Sequence, residues 1–160
     1  MPSFKVGMTL AEAKALAEKF QIELVKVGIT HTEVAGSIRR QEKMVGDIDM
    51  LVEGQLAVIK TIPGVDYKDG LEEKMTFVYD GQQFNIFRAE PSYWGAMLCY
   101  LTGPKGATIH YRIEAARKGM RLNQLGLFDS KGVKIAGETE ESIFNALEHP
   151  MKPPERRGKK

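Results

Sequence analysis

Gly36-Ser37-Ile38-Arg39-Arg40, followed after five residues by Gly46-Asp47-Ile48-Asp49, is the stretch on which the reading of this chain turns. From Gly46 to Val52 polar and apolar residues alternate before an apolar end, as in a half-buried strand, so Asp47 and Asp49 project from one face. Two carboxylates one residue apart let oxygens of both reach a hard cation such as magnesium. Upstream, Ser37 stands where a helix would begin, Gly36 permits close backbone approach, and exposed N–H groups there can hold phosphate oxygens. Arg40 adds a fixed cationic fork. Alone, the first half is an ordinary turn into a helix and the second the polar face of an edge strand. In this order they pair a phosphate site with a metal site, and a nucleoside triphosphate would sit between them.

Working outward, Thr9-Leu10-Ala11-Glu12 reads as a capping box opening an amphipathic helix, with residues 21 to 31 ambiguous and a short strand over Thr32–Ala35. A short helix over Gln55–Ile62 and a strand near Val65–Lys68 precede two strands, Lys74–Tyr79 and Gln82–Arg88, joined by the tight-turn pair Asp80-Gly81. An apolar helix over Ser92–Leu101 ends at Thr102-Gly103-Pro104, and a second, Lys105–Lys118, is closed by Gly119. On that second helix Thr108 and Arg112 share a polar face, with Ile109, Ile113 and Ala116 expected on the apolar one. Arg121–Phe128 and Val133–Ile135 read as a second hairpin, and a last helix starts at Thr139 with Glu140 and Glu141 in its first turn. A basic, proline-rich tail follows.

The chain has 160 residues, which suits one domain or a domain with a small appendage. With 42% hydrophobic and 28% charged residues, it can bury a core and is neither disordered nor fibrous in composition. The single Cys99 excludes an internal disulfide and a thiolate-rich zinc site, which suits a reducing compartment. The opening residues lack the apolar core of a signal peptide, and no apolar run approaches the ~20 residues that span a bilayer, so the expectation is a soluble, intracellular chain. The net charge of +2 hides an asymmetry: residues 1–90 hold 11 Lys/Arg against 14 Asp/Glu, and residues 91–160 hold 12 against 7. A basic second half suits a polyanionic partner, while the first half gathers carboxylates.

These residues resemble the nucleotidyltransferase superfamily and, within it, the family X (polymerase beta-like) DNA polymerases, over about residues 9 to 157. The first element marks only the superfamily. Tyr100-Leu101-Thr102-Gly103-Pro104 looks like the family's Tyr-Phe-Thr-Gly turn, with Leu101 replacing the usual aromatic. Leu122-Asn123-Gln124-Leu125-Gly126-Leu127-Phe128, Thr139–Phe144 and Pro153-Pro154-Glu155-Arg156 look like its thumb. The fold implied is α+β: a nucleotidyltransferase palm with a mixed β-sheet over residues 1–101, then a small carboxy-terminal α/β thumb over residues 102–160.

The function implied is template-directed addition of dNTPs to a primer 3′ hydroxyl by two-metal-ion nucleotidyl transfer, as in short-gap filling during DNA repair. The partners are gapped or primer–template DNA and dNTP, the cofactor is Mg2+ with Mn2+ able to substitute, and the chain would act as a monomer. By resemblance Asp47 and Asp49 hold the ions, and Ser37, Arg40 and the Gly36 and Gly46 backbone hold the triphosphate. Tyr100, Gly103, Thr108 and Arg112 would attend the incoming nucleotide and the minor-groove edge of the new pair. Lys105, Arg112, Arg117, Lys118, Arg121, Asn123 and Gln124 would meet DNA, together with Lys131, Lys134 and the tail basics, giving affinity that falls steeply with salt. The family turn also implies a cis Gly103–Pro104 bond.

The main departure is at the third catalytic carboxylate, which the pattern aligns with Asn85. An amide oxygen is nearly isosteric with a carboxylate oxygen but brings neither charge nor basicity. Three readings follow: an introduced Asp-to-Asn change, a natural residue of a degenerate homologue, or a shifted alignment in which Glu90 or Asp80 serves. The first two imply a chain that binds metal and nucleotide but turns over slowly. Two other functions stand beside the polymerase: a nucleotidyltransferase acting on a non-DNA acceptor, and a non-catalytic DNA- or nucleotide-binding module. Residues 1 to 8 are too few for the family's lyase domain, so no lyase activity is expected, and a short viral or phage-encoded enzyme would fit. His31, His110 and His149 show no metal-ligand spacing, with His110 a DNA contact at most, while Trp94, Met97 and Cys99 are expected in the core.

Overall fold

Thr9 caps helix α1 (Leu10–Lys26) on both sides of the capping box: its hydroxyl accepts from the Glu12 N–H at 3.2 Å, and Glu12 Oε1 accepts from the Thr9 N–H at 2.9 Å. The helix continues through the stretch that was ambiguous in sequence because Phe20 and Leu24 extend the buried row begun by Ala13 and Ala17. This computed structural model describes residues 7–159. It separates into two compact units at Arg88/Ala89.

The first unit is built on a five-stranded mixed sheet in the order β2 (Thr32–Val34), β4 (Ile48–Val52), β7 (Gln82–Arg88), β6 (Lys74–Tyr79), β5 (Asp66–Gly70). Only β4 and β7 run parallel. The four-residue helix α2 (Gly36–Arg39) joins β2 to β3 (Met44–Val45), which pairs with β1 (Met8–Thr9). The expected Gln55–Ile62 helix is a 3-10 turn over Leu56–Thr61. Asp80 and Gly81 both adopt positive φ, 51° and 75°, as a two-residue hairpin loop requires.

Alternation along the strands divides the sheet. Ile48, Met50, Val52, Met75, Phe77, Tyr79, Phe84 and Ile86 enter the core. Phe20 of α1 packs into them, its ring centroid 4.9 Å from those of Tyr79 and Phe84 and 5.1 Å from that of Phe77. Truncating such a ring typically removes about 3–5 kcal/mol. The opposite face of the same strands carries Asp49, Thr76, Gln83 and Asn85.

The second unit contains helices α3 (Trp94–Thr102), α4 (Lys105–Arg117) and α5 (Glu140–Leu147) with a three-stranded antiparallel sheet, β8 (Arg121–Asn123), β9 (Gly126–Phe128), β10 (Lys134–Ala136). The division falls before α3, where the sequence reading put it after residue 101. The cause is packing: Gly95 lies so close to Thr139 that an added Cβ would sit 2.2 Å from its carbonyl carbon, and the Gly95 and Ala96 N–H groups donate to Glu138 and Gly137.

Three further expectations are corrected. Arg121–Phe128 is two strands, because the Asn123 Oδ1 accepts from the Leu125 N–H at 2.8 Å and turns the chain at residues 124–125. Helix α4 buries Ala107, Tyr111 and Ala115, while Ile109 and Ile113 are 46% and 47% exposed, because the small residues let the helix approach its neighbours. The tail basics, expected to meet DNA, are not all available for it. Arg157 is 1% exposed and paired bidentately with buried Glu140. Lys160 lies outside the described residues. Among them, no helix is long and apolar enough to cross a membrane.

Candidate active site

Sheet register assembles the first group of predicted residues. Asp49 of β4 stands opposite Asn85 of β7, and Asn85 stands opposite Thr76 of β6, forming one row across three strands. The Asn85 Nδ2 donates to Asp49 Oδ1 at 3.0 Å and, longer, to Asp47 Oδ2 at 3.4 Å. The amide oxygen of Asn85 accepts from the Thr76 hydroxyl at 3.0 Å and from Gln83 Nε2 at 3.2 Å, and Gln83 also donates to Asp47 Oδ2 at 3.2 Å. Asp47 and Asp49 therefore share one face, as the alternation implied, and Asn85 meets them there. Asp80 is instead held in the hairpin turn by Lys19 at 2.7 Å, and Glu90 lies in the other unit. Gln83 and Thr76, which orient the amide, were not singled out from the sequence. Their place two residues along β7 and across the β6–β7 hairpin is the signal that would have found them.

The entry to α2 is fitted to this face. Gly36 is buried with φ +58°, and a Cβ there would lie 2.6 Å from Asp49 Oδ2. Only glycine brings the α2 backbone that close to the carboxylate. The Ala35 N–H donates to the Asp49 carbonyl at 2.8 Å, which ties the same turn to β4. Gly46, by contrast, has open space where its Cβ would be, so packing does not demand glycine there. Arg40 lies near Glu42, 3.9 Å from Nε to Oε1, and its charge reaches Asp49. Burial pushes the Asp49 carboxyl above its ordinary value. The Asn85 hydrogen bond opposes the shift, the Asp47 charge adds to it, and Lys74 and Arg40 oppose it.

A divalent cation fits this donor set: two adjacent carboxylates, one partly desolvated and repelled by the other, gain most from a positive charge. Asn85 offers a neutral oxygen of similar shape.

The second group lies in the carboxy-terminal unit. Tyr100, Thr108, Arg112 and Asn123 line one small cleft, with Cys99 and Tyr111 behind them. Gly103, at φ +61°, ends α3 and begins a cis Gly103–Pro104 bond. Arg112 and Lys105 are exposed on α4, as are Arg117 at its end and Gln124 in the β8–β9 turn. Arg121 lies over the Phe128 ring at 5.8 Å. Lys118 donates to the Leu147 carbonyl at the end of α5, so this predicted DNA contact also has a structural partner.

The histidine spacing in sequence did not point to a cluster that the fold assembles. The side chains of His110, Glu114 and His149 converge, with one potential ligand atom from each lying within 4.8 Å of the others. The helical i, i+4 relation of His110 and Glu114 was visible in sequence, whereas the approach of His149 was not.

Residues 97–158 match the DNA polymerase beta thumb family. The chain is also similar to repair DNA polymerase X of African swine fever virus. It is 26% identical to that protein from the Warthog/Namibia/Wart80/1980 isolate over 156 residues, and 27% identical to that from the Badajoz 1971 Vero-adapted strain over 157 residues. Each comparison covers 89% of this chain and 90% of the relative.

Proposed function

We propose that this chain is a family X DNA polymerase, as its thumb-family match and its likeness to repair DNA polymerase X support, and that it acts as a template-directed repair polymerase, filling short gaps in DNA as a monomer with Mg2+, for which Mn2+ substitutes. The observation that carries the reading is the Asp47–Asp49–Asn85 group beside the Gly36 backbone. Asp47 and Asp49 would hold divalent cations, whose bound charge aligns and polarises the primer hydroxyl and the α-phosphate. Ser37, Arg40 and the Gly46 backbone hold the triphosphate oxygens by charge-assisted hydrogen bonds. Open space at Gly46 supports that role. The cleft residues Tyr100, Thr108 and Arg112 contact the nucleotide and the edge of the new pair, and Lys105, Arg117, Lys118, Arg121, Asn123 and Gln124 engage DNA.

Asn85 makes the chain slow. In this site its amide donates to both aspartates, which a carboxylate cannot do, and it lacks the basicity to take the primer proton. The same observation favours a second reading, a DNA- and nucleotide-binding module without catalysis. Primer extension on gapped DNA with Mg2+ or Mn2+, run beside Asn85→Asp, separates them. The polymerase reading expects templated extension that rises on the order of 10²–10⁴-fold in Asn85→Asp. Silence of both proteins with intact DNA and nucleotide binding supports the module, and untemplated addition points to a different acceptor.

A further inference from the structure

The carboxy-terminal unit contains a cluster that none of the roles above uses. His110 and Glu114 lie one turn apart on α4, and His149 follows the end of α5. His149 Nε2 is 3.3 Å from Glu114 Oε2, and His110 Nε2 is 3.7 Å from the same oxygen. The two imidazole rings are 5.8 Å apart, centroid to centroid. Glu114 Oε2 is buried and, among the described residues, accepts no hydrogen bond, while both imidazole Nε2 atoms approach it.

The proton arrangement of His149 follows from its other nitrogen. Its Nδ1 lies 2.8 Å from the Pro150 carbonyl, which can only accept, so Nδ1 carries the proton. In the neutral ring the Nε2 lone pair then points at a carboxylate oxygen, an arrangement that needs a cation or a second proton between them. A carbonyl holding Nδ1–H while Nε2 faces the site is the outer-shell contact that fixes metal-ligating histidines. Aromatic packing reinforces it: His149 stands edge-on to Tyr111 and close to Phe144, with centroids 5.4 Å and 5.9 Å away.

We propose that His110 Nε2, His149 Nε2 and the Glu114 carboxylate form a binding site for one zinc-class transition-metal ion. Tetrahedral zinc with bonds of about 2.0–2.2 Å separates neighbouring ligand atoms by about 3.3 Å. The His149–Glu114 spacing already matches that figure, and His110, whose side chain is 60% exposed, lies 3.7 Å from the same oxygen with its ligand atom within 4.8 Å of that of His149, and is free to turn inward to close the site. Two imidazoles and one carboxylate select zinc over magnesium, which prefers all-oxygen sites. His110 and His149 also line a pocket with Lys152 and Lys159, from which water or an anion's oxygen would complete the coordination. The ion ties α4 to the segment following α5, so it stabilises this unit rather than taking part in nucleotidyl transfer.

The test uses the full chain carrying Asp47→Asn and Asp49→Asn, which removes the other cation-binding carboxylates. Titration with zinc chloride should give one bound equivalent and raise the melting temperature. His149→Ala in that background should lose the equivalent and the shift. Cobalt(II) should give the intense visible absorption of a tetrahedral site. Because a histidine variant can misfold, long-range 15N NMR of the imidazoles in the unsubstituted chain serves as the second measurement, with zinc moving the Nε2 signals of His110 and His149 together. No zinc bound, a stoichiometry unaffected by His149→Ala in the folded protein, or Nε2 signals that ignore zinc would each overturn the site and leave a His–Glu ion pair.

Discussion

Asn85 stands directly opposite Asp49 across the one parallel strand pair of the sheet and donates its amide hydrogen to that carboxylate at 3.0 Å. Asn85 is thus a hydrogen-bond donor to the acid beside it. Asn85→Asp would replace two donated hydrogen bonds with a third negative charge. Without divalent ions the variant should melt lower by about 1.5–3 kcal/mol of stability. Magnesium should recover most of this loss, since the cation binds the folded state alone. Thermal melts of both proteins in chelator and in magnesium check this.

The Asp49 carboxyl is raised, first by burial. A carboxyl whose folded pKa lies above its unfolded value contributes stability below the unfolded value, and loses it as pH rises through the folded one. Asp49→Asn should therefore stabilise the metal-free chain at neutral pH, with the gain shrinking as pH falls toward the ordinary aspartate value of about 3.9. The same change should abolish extension activity. Melting temperature against pH for both proteins in chelator tests the sign, and a gain that grows on acidification would contradict it.

Gly36 and Gly46 flank the same motif but answer to different constraints. At Gly36 a Cβ meets Asp49 Oδ2 at 2.6 Å on a backbone with φ +58°, while at Gly46 it meets nothing within 4 Å. Gly36→Ala should destabilise the fold by about 1–3 kcal/mol. Gly46→Ala should leave the melting temperature nearly unchanged and raise the KM for dNTP if its backbone faces the triphosphate. Denaturation and steady-state extension, measured side by side, distinguish the two.

Arg157 and Glu140 form a buried bidentate pair, with Nη1–Oε2 at 2.6 Å and Nη2–Oε1 at 3.2 Å, and the Arg157 Nε donates to the Lys152 carbonyl. Removing either partner strands a buried charge and should destabilise the unit by about 3–5 kcal/mol. Replacing both with apolar residues, Glu140→Leu with Arg157→Met, should lose much less. Urea unfolding of the two single variants and the double variant gives the coupling directly.

Much of the first unit was legible because its information is local. The Thr9–Glu12 capping box, the Asp80-Gly81 hairpin and the alternation around Asp47 and Asp49 each lie within a few residues, where side-chain period and turn chemistry act directly. The β8–β9 turn was missed because Asn123 acts through one side-chain hydrogen bond that leaves no break in the apolar pattern. The buried face of α4 was misread because Ala107, Tyr111 and Ala115 are chosen by what packs on them, not by hydrophobicity.

By itself the sequence determined which residue types were available and which faces of strand and helix they share: two aspartates on one side of the segment entering and opening β4, and His110 one turn from Glu114. Only the tertiary structure decided their companions. Strand register placed Asn85 opposite Asp49, chain reversal brought His149 to Glu114, and the folded tail returned Arg157 to Glu140. The physical reason is range. Backbone periodicity reaches only a turn or a pleat, whereas these pairings are selected by long-range packing and by the need of each buried polar group for a partner.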